Sequence, residues 1–122
     1  MSITADLIRG HTDTIILAAL MQGDSYGYCI NRTLCRLTDG RYELKEATLY
    51  TAFKRLEESE YIRSYWGDEA TGARRRYYAI TPDGRTAYHR MMAEWREASA
   101  LLEKLIRFGG DDSMGDACAE QI

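Results

Sequence analysis

The sequence predicts a mainly α (α+β) fold, a winged helix-turn-helix that carries a long C-terminal helix. Three features lead to it. Helical periodicity across Ala47 to Ser59 places Leu49, Ala52, Phe53 and Leu56 on one stripe. Two β-prone, aromatic-rich runs, Tyr61 to Trp66 and Arg74 to Ile80, follow at once, joined by the polar loop Gly67 to Ala73 as a hairpin. From Pro82 onward, apolar residues recur at three- and four-residue intervals as far as Phe108.

The elements follow in chain order. Ser2 to Arg9 reads as a short amphipathic helix with Ile3, Leu7 and Ile8 on one side, ended by Gly10. Thr12 or Asp13 can cap a second helix over Thr14 to Met21, and Gly23-Asp24 makes a turn. Ser25 is the expected N-cap of a third helix through Leu37, with Tyr26, Ile30, Leu34 and Leu37 along one face, and Thr38-Asp39-Gly40 stops it. Arg41 to Leu44 alternates polar and apolar residues and fits one short strand. After the hairpin, Thr81 caps the long helix, Pro82 occupies its first position and Asp83 favours the positive helix end. Tyr88, Met91/Met92, Trp95, Ala98, Leu102 and Leu105 form a seam that a small head cannot cover, so the helix asks for a partner helix. Gly109-Gly110 ends it, and Asp111 to Ile122 reads as a disordered acidic tail.

Composition bounds the function. A chain of 122 residues with 45% hydrophobic content has room for one small core. Its expected divisions are a head over 1–81, a dimerisation helix over 82–108 and the tail over 109–122. The longest apolar run, Ile15 to Met21, falls short of the ~18 residues a membrane span needs. The N-terminus has no basic-then-apolar signal pattern, and Cys29, Cys35 and Cys118 are odd in number with no metal-ligand spacing, which suits a reducing cytoplasm. Cys29 and Cys35 fall on different helical faces. His11 and His89 lie far apart with no nucleophile constellation, and Gly23, Gly27 and Gly40 lack a phosphate-binding fingerprint, so neither an enzyme nor a cofactor is expected.

The net charge of −3 is unevenly spread: residues 1–81 carry 11 Lys/Arg and 11 Asp/Glu, whereas 82–122 carry 5 and 8. The head is therefore neutral as a whole, and a nucleic-acid surface must come from cations grouped on one face. Such a group exists. Opposite the apolar stripe of Ala47 to Ser59 stand Thr48, Tyr50, Thr51, Lys54 and Arg55, hydroxyls and cations suited to phosphates and base edges; Lys45 precedes them and Arg74, Arg75 and Arg76 open the second hairpin strand. Strand alternation sends neighbouring arginines to opposite faces, so one arginine is expected at the DNA backbone or minor groove and another against Glu57 or Glu58. The competing reading is a winged-helix protein-interaction module whose hairpin binds another protein, which the neutral head keeps open.

These residues resemble the PadR family of bacterial transcriptional regulators, in its short form with one C-terminal helix. The resemblance covers nearly all of residues 5–108 and rests on an ordered set: GYCI (Gly27 to Ile30), TLY (Thr48 to Tyr50), KRLE (Lys54 to Glu57), Tyr61-Ile62, the Gly72 to Thr81 segment with ARRRYYAIT, and Gly84. It implies a homodimeric repressor on inverted-repeat double-stranded operator DNA. Two recognition helices would occupy successive major grooves roughly 34 Å apart. Tyr50 and Lys54 match recognition-helix positions and Arg74 to Arg76 the wing. The chain departs from the family pattern at Tyr26, Ala47, Thr51 and Glu60, where histidine, glycine, proline and glycine are frequent. In multidrug-binding members, a tryptophan matching Trp95 lines a pocket at the dimer centre; Met91, Met92 and Trp95 are accordingly the candidate site for a planar apolar or phenolic effector, the plainer role being interface filling.

Overall fold

A computed structural model describes residues 7–67 and 74–110. A 3-10 turn (Arg9–His11) leads into α1 (Thr12–Met21), followed by α2 (Gly27–Leu37), α3 (Glu46–Glu58), β1 (Ile62–Trp66), β2 (Arg76–Ile80) and α4 (Pro82–Arg107), which closes in a second 3-10 turn (Phe108–Gly110). Among the described residues the chain forms one antiparallel two-stranded sheet, in register Ile62↔Ile80, Ser64↔Tyr78 and Trp66↔Arg76. Helix-turn-helix, wing and long helix thus occur as the sequence predicts. The proposed Ser2 to Arg9 helix and the tail lie largely or wholly outside the described residues.

The core belongs to the first of two compact units, Met1–His89 and Arg90–Ile122. Helix α1 is its centre, with every residue from 12 to 21 buried or half-buried. Around it lie Ile30 and Leu34 of α2, the full predicted stripe Leu49, Ala52, Phe53 and Leu56 of α3, and Ile62, Tyr78 and Ala79 of the sheet. Phe53 stacks on Tyr78 with ring centroids 3.8 Å apart, which fastens the hairpin to α3. The first turns of α4 are part of this unit: Gly84 and Ala87 are buried, and a Cβ at Gly84 would run into the Tyr61 carbonyl oxygen.

Both helices of the helix-turn-helix end in Schellman motifs closed by a non-glycine residue in the left-handed region. At the end of α2, Asp39 has φ 54°, with Gly40 N–H donating to Cys35 O at 2.7 Å. At the end of α3, Glu60 has φ 63°, Glu60 N–H donates to Glu57 O at 2.9 Å and Tyr61 N–H to Leu56 O at 3.0 Å. Thr81 caps α4 as expected: Gly84 N–H donates to its Oγ1 at 3.0 Å, while that hydroxyl donates to Glu60 O at 2.7 Å.

Four local expectations are corrected. Ser25 does not cap α2; its backbone pairs with Tyr78, N–H to O at 3.1 Å and O to N–H at 2.7 Å, adding a bridge to the wing, and α2 begins two residues later behind Tyr26. Neither Thr12 nor Asp13 caps α1, because the preceding turn carries the backbone straight in and Thr12 Oγ1 reaches back to Arg9 O at 3.2 Å. Arg41 to Leu44 is not a strand, since the Leu44 backbone is taken by the Asn31 side chain rather than by a neighbouring strand. Leu37 is 73% exposed and does not extend the buried face of α2.

Candidate nucleic-acid interface

Helix α3 turns its apolar stripe inward, which leaves Thr48, Tyr50, Thr51, Lys54 and Arg55 on its exposed face. Lys45 precedes the helix in extended conformation at the N-cap position, and Glu46 favours the positive helix end. Three contacts set the height of this helix against α2. Asn31 grips the Leu44 backbone twice, Nδ2–H donating to the carbonyl and Oδ1 accepting from the N–H, both at 2.8 Å. Thr38 Oγ1 accepts from Tyr42 N–H at 3.0 Å. Gly27 lets the helices close up: a Cβ there would stand 3.0 Å from Leu49 Cδ2 and 3.3 Å from Tyr50 Oη.

Tyr50 packs edge-on against Phe53, centroids 5.7 Å apart, and its hydroxyl end lies beside Gly27 of α2, yet the residue remains 47% exposed. Arg55 is differently placed: Nε donates to Asp13 Oδ2 at 3.1 Å and Nη2 to Asp13 Oδ1, tying α3 to α1. That bond raises the Arg55 pKa, and the group stays charged.

β2 begins at Arg76, two residues later than the sequence predicts, so Arg74 and Arg75 precede the strand; the three arginines nonetheless part to different neighbours. Arg75 lies over the Tyr26 ring at 4.9 Å, on the side where Tyr26, Tyr77 and Tyr65 form an aromatic row with centroid spacings of 5.3 and 5.6 Å. Tyr65 Oη donates to Asp24 at 2.6 Å and so pins that row to the turn after α1, a bond that holds its pKa above the usual phenol value. Arg76 faces the other way. Its Nη2 donates to Ser64 Oγ at 2.8 Å, Ser64 Oγ donates to Glu57 Oε2 at 2.7 Å, and Arg76 stands 4.0 Å from Glu57. Of the two glutamates considered from sequence, Glu57 is the partner. Arg74 lies over Trp66 at 5.2 Å.

A groove of about 470 Å³ opens between α2 and α3, lined in part by Tyr28, Arg32, Glu46 and Tyr50. Tyr28 and Arg32, in cation–π contact at 5.8 Å, had no distinguishing sequence signal beyond amphipathic spacing and were missed. They extend the exposed polar face from α3 onto α2. In the second compact unit, Met91 and Met92 are half-buried, while Trp95 is 43% exposed and Leu101, Leu102, Leu105 and Ile106 are 50 to 73% exposed. Among the described residues there is no cluster of His, Cys, Asp and Glu suited to a metal ion, and no helix long and apolar enough to cross a membrane.

Comparison with known proteins places this geometry. The sequence model of the PadR-like family of transcriptional regulators matches residues 16–90. An uncharacterised protein of Lysinibacillus sphaericus is 40% identical over 101 residues, covering 83% of this chain and 93% of its own. The structure of a transcriptional regulator from Clostridium thermocellum is similar with a TM-score of 0.75 at 48% identity, covering 81% of this chain and 96% of that one. A PadR family regulator from hypervirulent Clostridium difficile is similar with a TM-score of 0.68 at 32% identity, over 79% of this chain and 98% of its own.

Proposed function

The chain belongs to the PadR-like family of transcriptional regulators, and on that premise we propose that it is a homodimeric repressor that binds an inverted-repeat operator and is released by a small-molecule effector. The observation that carries the DNA-contact assignment is the exposed α3 face of Thr48, Tyr50, Thr51 and Lys54, set beside a hairpin in which Arg74 and Arg75, just ahead of the second strand, lie over Trp66 and Tyr26. Lys45, Arg55 and Arg76 complete the cationic set, the last two already engaged by Asp13 and Glu57. Hydroxyls and a lysine on a helix of major-groove width read base edges and phosphates, while wing arginines hold the backbone.

Dimerisation is supported by α4. A helix that leaves Leu101, Leu102, Leu105 and Ile106 half or more exposed, with only polar i,i+4 pairs such as Arg107–Glu103 at 3.6 Å to offset them, is stabilised by a partner helix. Effector binding is assigned to Met91, Met92 and Trp95, where a flat ring and two adaptable thioethers suit a planar apolar or phenolic compound.

The test is selection of bound duplexes from a randomised DNA library, followed by mobility shift at fixed salt with Tyr50→Phe, Lys54→Ala and Arg75→Ala. Loss of affinity is expected in each. Unchanged affinity in all three would sink the contact assignment, and an affinity insensitive to salt would favour the protein-interaction reading.

A further inference from the structure

The wing carries a tryptophan that the DNA-contact set does not use. Trp66 ends β1 opposite Arg76, is 53% exposed, and has two guanidiniums near its ring, Arg74 at 5.2 Å and Arg76 at 5.5 Å from the centroid. The two cations are not equivalent. Arg76 is also held by Ser64 Oγ at 2.8 Å and faces Glu57 at 4.0 Å, so its charge is opposed by a carboxylate. A cation–π contact holds a guanidinium without consuming its N–H donors on an acid, and those donors in their fixed fork match a phosphate.

We propose that Trp66 is a positioning residue for DNA binding: its indole holds Arg74 at the loop end of the wing for a backbone phosphate, while Glu57 keeps Arg76 as a structural cation. The proposal rests on the DNA-binding reading above. Its physical content is preorganisation. A free arginine loses rotamer freedom when it docks on a phosphate, and a ring that already restrains it removes part of that loss. The gain belongs to Trp66 and Arg74 jointly, so it vanishes when either is absent.

The experiment is a double-mutant cycle read by fluorescence anisotropy on a labelled mixed-sequence duplex of about 30 base pairs at roughly 50 mM salt. Trp66→Leu, which keeps apolar bulk without a π face, and Arg74→Ala are each expected to weaken binding about three- to ten-fold, the double variant is expected to be no weaker than Arg74→Ala, and Trp66→Phe is expected to restore most of the loss. Thermal unfolding of each variant establishes that the head is folded. A Trp66→Leu protein that binds like the native chain, losses that multiply in the double variant, or a Trp66→Phe protein as weak as Trp66→Leu would overturn the proposal alone. A native chain without affinity for any duplex would overturn the DNA-binding reading and this inference with it.

Discussion

Arg55 of α3 reaches Asp13 of α1 with two of its nitrogens, so the helix proposed to read DNA is tied to the centre of the core by an ion pair as well as by its apolar stripe. The pair is partly solvated, with side chains 51% and 29% exposed, which limits its worth to about 0.5–1 kcal/mol. Asp13→Ala is expected to lower the denaturant midpoint accordingly with an unchanged slope, and Asp13→Ala/Arg55→Ala to cost little more than either single change. Additive losses would show that the two residues act apart.

Glu60 sits at φ 63° at the C′ position of a Schellman motif, where glycine is the unstrained choice. Glu60→Gly is expected to stabilise the chain by about 1 kcal/mol and to raise the melting temperature by a few degrees, whereas Glu60→Ala is expected to give no gain. Calorimetry on the three proteins checks it.

Gly84 faces the opposite constraint. Its Cα packs against the Tyr61 carbonyl, so Gly84→Ala forces α4 away from the segment that joins α3 to β1 at a cost of about 3 kcal/mol. Chemical denaturation should register that loss, and a change below about 0.5 kcal/mol would refute the close packing.

Tyr78 and Tyr42 have phenol pKa values raised by burial, Tyr65 one raised by its bond to Asp24. The folded chain therefore keeps these protons where the unfolded chain has released them. Their contribution is fully present below pH ~10 and is lost as pH rises through the raised folded values. Stability measured by urea titration should fall above that pH, and the fall should shrink in Tyr78→Phe.

What the sequence made legible was local. The α3 stripe, the hairpin, the Thr81 cap and the awkward Glu60 all follow from residue type at fixed spacing, although β2 starts at Arg76 rather than Arg74. What escaped was most of the pairing between distant segments. Asn31 gripping Leu44 looked like a polar residue in a helix, and Leu44 like the end of a strand, because the bond that decides both joins residues separated by 13 positions. Ser25 has the chemistry of an N-cap, but Tyr78 claims its backbone. Alternation predicts that neighbouring wing arginines part company, yet only packing shows that Arg76 faces Glu57 and that Trp66 has both Arg74 and Arg76 near its ring.

An exposed α3 face that binds phosphates and bases must release counterions, so its affinity depends on salt. On a duplex obtained by selection, log K of the native chain should fall linearly with log salt, and Lys54→Ala should reduce the magnitude of that slope by about 0.9, one phosphate contact. A slope near zero for the native chain, or one that Lys54→Ala leaves unchanged together with the affinity, would show that this face of α3 does not hold DNA.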